Sequence, residues 1–114
     1  MRRLSFAALA IALPAAALAH HGWGSYDAQN PVTLTGPIKT LEFVNPHVHA
    51  DITADGKEWE LTLAPPSRMQ ARGAAQDLIK VGTTVTAYGY PSRVKQGEMR
   101  AEWIEVAGKR FELR

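Results

Sequence analysis

The stretch from His47 to Thr53 alternates without a break, with Val48, Ala50 and Ile52 on one side and His47, His49 and Asp51 on the other. A period of two sends successive side chains to opposite faces of an extended chain, so this run reads as a strand with one face in a core and one in water. Asp55-Gly56 follows, a pair that tolerates the positive φ angles of a tight hairpin turn. Trp59, Leu61 and Leu63 then continue the apolar side on the returning strand. A two-stranded ribbon with one apolar face is marginal by itself and needs further strands or a helix against it. The rest of the chain has to supply that cover.

Upstream, Val32, Leu34 and Ile38 share one parity and Leu41 and Phe43 the other, with Gly36-Pro37 between, which predicts a long strand bent at a bulge or kink. Downstream, Ala64-Pro65-Pro66-Ser67 breaks the sheet. Ser67 is placed to cap a helix running from about Arg68 to Lys80, with Met69, Leu78 and Ile79 for the core and Gly73 weakening its middle. Thr83 to Tyr90 is rich in β-branched and aromatic residues, Pro91 stops it, and a turn with Gly97 leads to a last strand, Met99 to Val106, followed by Gly108 and a short tail. Trp59 and Trp103 carry the alternation of core residues. The order β-β-β-α-β-β is that of the OB-fold, so the expected fold is all-β with one short helix, a small five-stranded OB-like barrel.

Met1-Arg2-Arg3 is basic, Leu4 to Leu13 is almost wholly apolar, and Ala15 to Ala19 offers the small residues that signal peptidase reads. Residues 1–19 are therefore expected to be a cleavable signal peptide and residues 20–114 a single domain of the periplasm, secreted by that signal. The apolar run falls short of the roughly 20 residues a bilayer span needs, so no membrane span is expected in the mature form. Arg2 and Arg3 leave with the signal, and the remaining basic residues of the original 13 then equal the 11 acidic ones. That balance gives no electrostatic case for nucleic acid. With no cysteine in the chain, a metal site has to be built from histidine, carboxylate, methionine or backbone groups.

All 4 histidines lie in two clusters, His20-His21 and His47/His49. If the cut follows Ala19, His20 presents a free α-amine and an imidazole on one residue, which chelate one ion in a tight ring. A further imidazole turns this into a histidine brace, a nitrogen-rich arrangement suited to Cu(II). His47 and His49 leave the same strand face about 7 Å apart at the backbone and can converge on one ion. Asp51 extends that row and could orient a ring through its second nitrogen, and Trp23, Tyr26 and Asp27 are counted among the residues around the ligands. A cut after Ala17 would put His20 third and let the amine, two amides and its ring hold Cu(II) in a plane without His47 or His49. Met69 and Met99 are explained by packing. Ser25, Ser67 and Ser92 lie in loop-like contexts without a nucleophile elbow, and no catalytic set stands out.

The string His20-His21-Gly22-Trp23-Gly24-Ser25-Tyr26-Asp27, with Asn45-Pro46-His47 and Gly89-Tyr90-Pro91, resembles a family of small exported bacterial proteins classed as a domain of unknown function. Members more often have Ser after the histidine pair, where this chain has Gly22. The resemblance implies export and a small β-rich fold, and it implies no activity. The expectation is therefore a periplasmic protein that binds copper, as Cu(II), through His20 with His47 and/or His49, with His21 beside them. It is read as a binding or trafficking protein rather than an enzyme. The alternatives are a metal-free OB-fold interaction module of the cell envelope, with a periplasmic protein partner, and a small copper oxidoreductase.

Overall fold

The hairpin across Asp55-Gly56 is present, joining β2 (His49–Ala54) to β3 (Lys57–Thr62) in a computed structural model that describes residues 22–114. Expectations on the signal peptide and on His20 and His21 lie outside the described residues. Val48, Ala50 and Ile52 are buried, and His47, His49 and Asp51 face outward, as the alternation requires. The bent strand is β1 (Val32–Glu42), which pairs with β2 through Ile38 opposite Ile52 and then slips by one residue before Thr40 opposite Asp51. The slip falls at Lys39, two residues past Gly36-Pro37, and it moves the inward face from Ile38 to Leu41.

β4 (Thr84–Pro91) pairs with β1, and β5 (Glu98–Val106) pairs with β4. The sheet order is β3-β2-β1-β4-β5-β6, and β3 also lies parallel to β5, with Glu60, Leu61 and Thr62 opposite Glu98, Met99 and Arg100. That second pairing closes the first five strands into a barrel. Its core is filled by Val48, Ile52, Leu61, Met69, Ile79, Met99 and Ile104, all fully buried.

Five local expectations are corrected. The helix α1 is only Pro66–Ala71. Gly73 at φ +92 turns the chain, and the Ala74 amide bonds back to the Met69 carbonyl at 2.8 Å, so the backbone leaves the helix before Ala75. Ser67 lies inside the helix, whose cap position is Pro65 without a side-chain bond, and Leu78 is 36% exposed while Met69 and Ile79 are core. Trp103 points outward, because Glu102 is an extra residue between the Tyr88–Trp103 and Gly89–Ala101 pairs and reverses the parity of β5. The tail is a sixth strand, β6 (Lys109–Glu112), hydrogen-bonded to β5, with Phe111 and Leu113 buried. Among the described residues no helix is long and apolar enough to cross a membrane.

Candidate functional site

A pocket of about 380 Å³ opens on the outer face of β2, β3 and β5, lined by Ser25, Tyr26, His47, His49, Thr62, Ser92, Val94, Lys95, Glu98 and Arg100. In OB-folds the outer face of strands two and three, with the loops after strands one and four, is where ligands are held. Here His47 sits in the loop between β1 and β2, and Ser92, Val94 and Lys95 sit in the loop between β4 and β5. The two sequence-predicted imidazoles are thus in one cavity.

One wall comes from the start of the described chain. Trp23–Ser25 forms a single 3-10 turn. Beyond it Tyr26 bridges to Ser92, the Asp27 amide donates to the Pro91 carbonyl at 2.8 Å, and the Arg93 amide donates to the Ser25 carbonyl at 2.8 Å. These bonds lay residues 25–27 along the end of β4. The Trp23 ring takes the Arg100 guanidinium at 4.2 Å and that of Arg114 at 4.6 Å, and it meets Tyr26 and Tyr90 edge-on. Trp23 therefore has packing partners that the local sequence pattern did not reveal.

Thr62, outward on β3, is buried at 5% exposure beneath this wall. Its hydroxyl donates to Glu98 Oε2 at 3.3 Å, and Tyr26 Oη donates to Glu98 Oε1 at 3.0 Å. Since Thr62 has one proton and gives it to Glu98, it can only accept from His49 Nδ1 at 3.5 Å. Glu60 Oε1, also 3.5 Å from His49 Nδ1, is a second acceptor there. Both neighbours call for a proton on Nδ1, so Nε2 is the atom of this ring that faces away from them. The carboxylate beside His49 is Glu60, held at its other oxygen by Lys95 Nζ at 2.5 Å. Asp51 adjoins His49 and Glu60 in a smaller hollow, and its Oδ2 accepts from Thr40 Oγ1 at 2.6 Å.

His47 Nε2 faces Arg100 Nη2 at 3.4 Å and, as the partner of a guanidinium, has to accept. Burial first, then the charges of Arg100, His49 and Arg68, hold its ring below the ordinary histidine range and so neutral. Burial and the Glu98 carboxylate push the Tyr26 hydroxyl up to about 12. The arrangement thus offers the neutral His47 ring, a second imidazole whose Nδ1 is oriented by Glu60 and Thr62, a fixed phenol and a cation. Among the described residues no group of three or more His, Asp or Glu side chains could hold a metal ion.

Of the remaining predicted residues, Asp27 turns away. It accepts from Asn30 Nδ2 at 2.8 Å and from Arg93 Nη2 at 3.2 Å, the first of which lowers its carboxyl below the usual range. Sequence reading did not single out Arg100, Glu98, Thr62 or Glu60. Their outward parity was readable on each strand, but only the parallel β3–β5 pairing brings them together.

A family model described as a family of unknown function, DUF6152, matches residues 8–100, in agreement with the resemblance carried by the His-His start and the Asn-Pro-His turn. No curated protein matches. Among solved structures, the crystal structure of TiaS in complex with a transfer RNA and ATP aligns with a TM-score of 0.52 at 17% identity, over 78% of this chain and 20% of that one. The ZRD-deleted mutant of TiaS in complex with agmatine aligns with a TM-score of 0.51 at 18% identity, over 75% of this chain and 24% of that one. This chain spans a quarter or less of those proteins, and the likeness is one of fold.

Proposed function

We propose that this chain, which belongs to the DUF6152 family of unknown function, is an exported copper-binding protein of the periplasm that takes Cu(II) through the α-amine and ring of His20 together with His47 and/or His49. The observation that carries the reading is the course of Trp23–Tyr26. The residues that follow His20-His21 are pinned to the rim of the pocket that both His47 and His49 line. His20 is three residues before Trp23, and three extended residues reach about 10 Å at most. The amine and ring of His20 therefore have to reach the two imidazoles from that anchor across no more than this length of chain.

Neither ring has to be stripped of a proton at Nε2 by a competing acceptor, and each has a partner that orients it. His47 stays neutral at neutral pH, and His49 already spends Nδ1–H on Glu60 and Thr62, the kind of outer partner that fixes a ligating ring. Copper at His47 Nε2 has to displace the Arg100 contact, a long one at 3.4 Å. With His47 held neutral, the group that limits uptake on the acid side is the α-amine, whose ordinary value is about 7.7–8.0. Affinity is expected to fall as pH drops through that range.

The test uses protein exported by cells. Intact mass locates the N-terminus, and Cu(II) titration followed by electron paramagnetic resonance on the same material reads the ligands. The expected result is a chain starting at His20, one equivalent of copper with nitrogen hyperfine structure, and at least tenfold weaker binding for the His47→Ala, His49→Ala double variant. A chain that starts beyond His21, or one that takes up no stoichiometric copper, ends this reading.

A further inference from the structure

Arg100 is half-buried in the pocket, yet among the described residues no carboxylate lies within ion-pair distance of it. The nearest candidate on its own strand, Glu98, is already engaged at both oxygens, by Tyr26 Oη and Thr62 Oγ1. Glu60, on the neighbouring strand, is taken by Lys95. A guanidinium has five N–H donors in a rigid plane. Here one of them meets His47 Nε2 at 3.4 Å, and the guanidinium carbon lies over the Trp23 ring at 4.2 Å. The edge is what remains for the pocket.

Burial weighs most against the Arg100 charge, and Arg114 and Arg68 add to it, while Tyr26 and the engaged Glu98 carboxylate favour the charge from the other side. Ser92 Oγ accepts from the amides of Val94 at 3.2 Å and Lys95 at 3.0 Å, which leaves its own hydroxyl proton to donate. An unpaired, half-buried cation, with further cations around it and a free hydroxyl in a cavity of about 380 Å³, is a ground state that an anion improves.

We infer that the pocket is a binding site for a small oxyanion, a carboxylate or a phosphate, held on the edge of Arg100 with Ser92 and Lys95 beside it. Trp23 holds the guanidinium carbon 4.2 Å from its ring centroid, so the cation is in place before the ligand arrives. The site goes beyond the copper reading, because Arg100 is unpaired with or without metal.

The test is a titration of the metal-stripped full chain with sodium acetate and, separately, sodium phosphate, at constant ionic strength against chloride. The readout is the backbone amide signals of Ser92, Lys95 and position 100, joined in the native chain by the Arg100 Nε–Hε nuclear magnetic resonance signal. A saturating shift with at least one anion, weakened at least tenfold in Arg100→Gln, is the expected result, and the anion that saturates at lower concentration names the ligand class. Shifts that stay linear and match chloride for both anions overturn the site, as does unchanged affinity in a folded Arg100→Gln. Should that variant not fold, exposed Arg68→Gln and Lys95→Gln each have to weaken saturable binding about two- to fivefold, and unchanged affinity in both overturns it equally. Anion binding without copper uptake removes the copper reading and keeps this site. Copper uptake without anion binding does the reverse.

Discussion

Tyr26 offers the clearest test at the scale of a single residue. Its hydroxyl is held at about 12 against 10.0 for a free tyrosine. The folded state therefore keeps a proton that the unfolded state gives up, and the contribution of the buried phenol with its Glu98 bond is fully present below pH 10 and lost as pH rises from 10 through 12. Two pH units amount to about 2.7 kcal/mol in full, and solvent screening of a half-exposed group reduces that to roughly 1 kcal/mol. Urea unfolding at pH 9 and pH 11.5 is expected to show that extra loss in the native chain and not in Tyr26→Phe. Lys95, whose ammonium the Glu60 hydrogen bond holds above the ordinary lysine range, is present in both proteins and affects them alike. An equal alkaline loss in both shows that the phenol does not supply it. At this scale His47, His49 and Tyr26 were legible, the histidines because a period of two fixes which face they leave. Arg100 was not, because its strand shows only an outward cation. What distinguishes Arg100 is the company of Trp23, far earlier in the chain, and of a Glu98 already taken by others.

Between the elements, the barrel depends on close approach at the β4–β5 bulge. A Cβ on Gly89 would lie 2.0 Å from the Arg100 carbonyl oxygen and 2.8 Å from Ala101 Cα, both of them backbone atoms that cannot swing aside. Gly89→Ala is expected to cost about 2–4 kcal/mol by urea unfolding. It should also disturb the Arg100 signal, since the clash falls on that residue's own backbone. A loss below half a kilocalorie would mean that the two strands separate freely. The opposite sign is expected at Ala107, an exposed residue at φ +52 in the β5–β6 turn. Ala107→Gly removes a Cβ from a left-handed conformation and should stabilise by about 1 kcal/mol, read the same way. The same residue explains why β6 was missed. Ala-Gly is not a recognised hairpin pair, whereas Asp55-Gly56 is, and so one hairpin was legible and the other was not. The helix ran too long in the sequence reading for a related reason. Ala74 to Ile79 are acceptable helical residues, and only the conformation of Gly73 reveals that the chain has already turned.

For the whole molecule, the pocket lies on the seam where β3 meets β5, the pairing that turns a sheet into a barrel. The strand order was legible in the alternation and the breakers, but the seam joins strands separated by a helix and a fourth strand, and no local pattern carries it. A ligand that ties the N-terminal segment, laid along the end of β4, to β2 spans that seam and has to be released before the barrel opens. Copper held by His20 with His47 or His49 should therefore raise the unfolding temperature. At a free concentration a hundred times Kd the gain is about 2.7 kcal/mol, which for a domain of this size is roughly 10–20 °C. Copper held in a plane by the amine, the first amides and a third-position His20 alone touches nothing in the barrel, and it leaves the transition where it was. A copper titration followed by thermal unfolding thus separates two coordination modes that a stoichiometry cannot. The shift should vanish in His47→Gln, His49→Gln while the apo transition stays close to that of the native chain. A copper-bound protein with no shift places the metal on the leading residues only and removes His47 and His49 from the site.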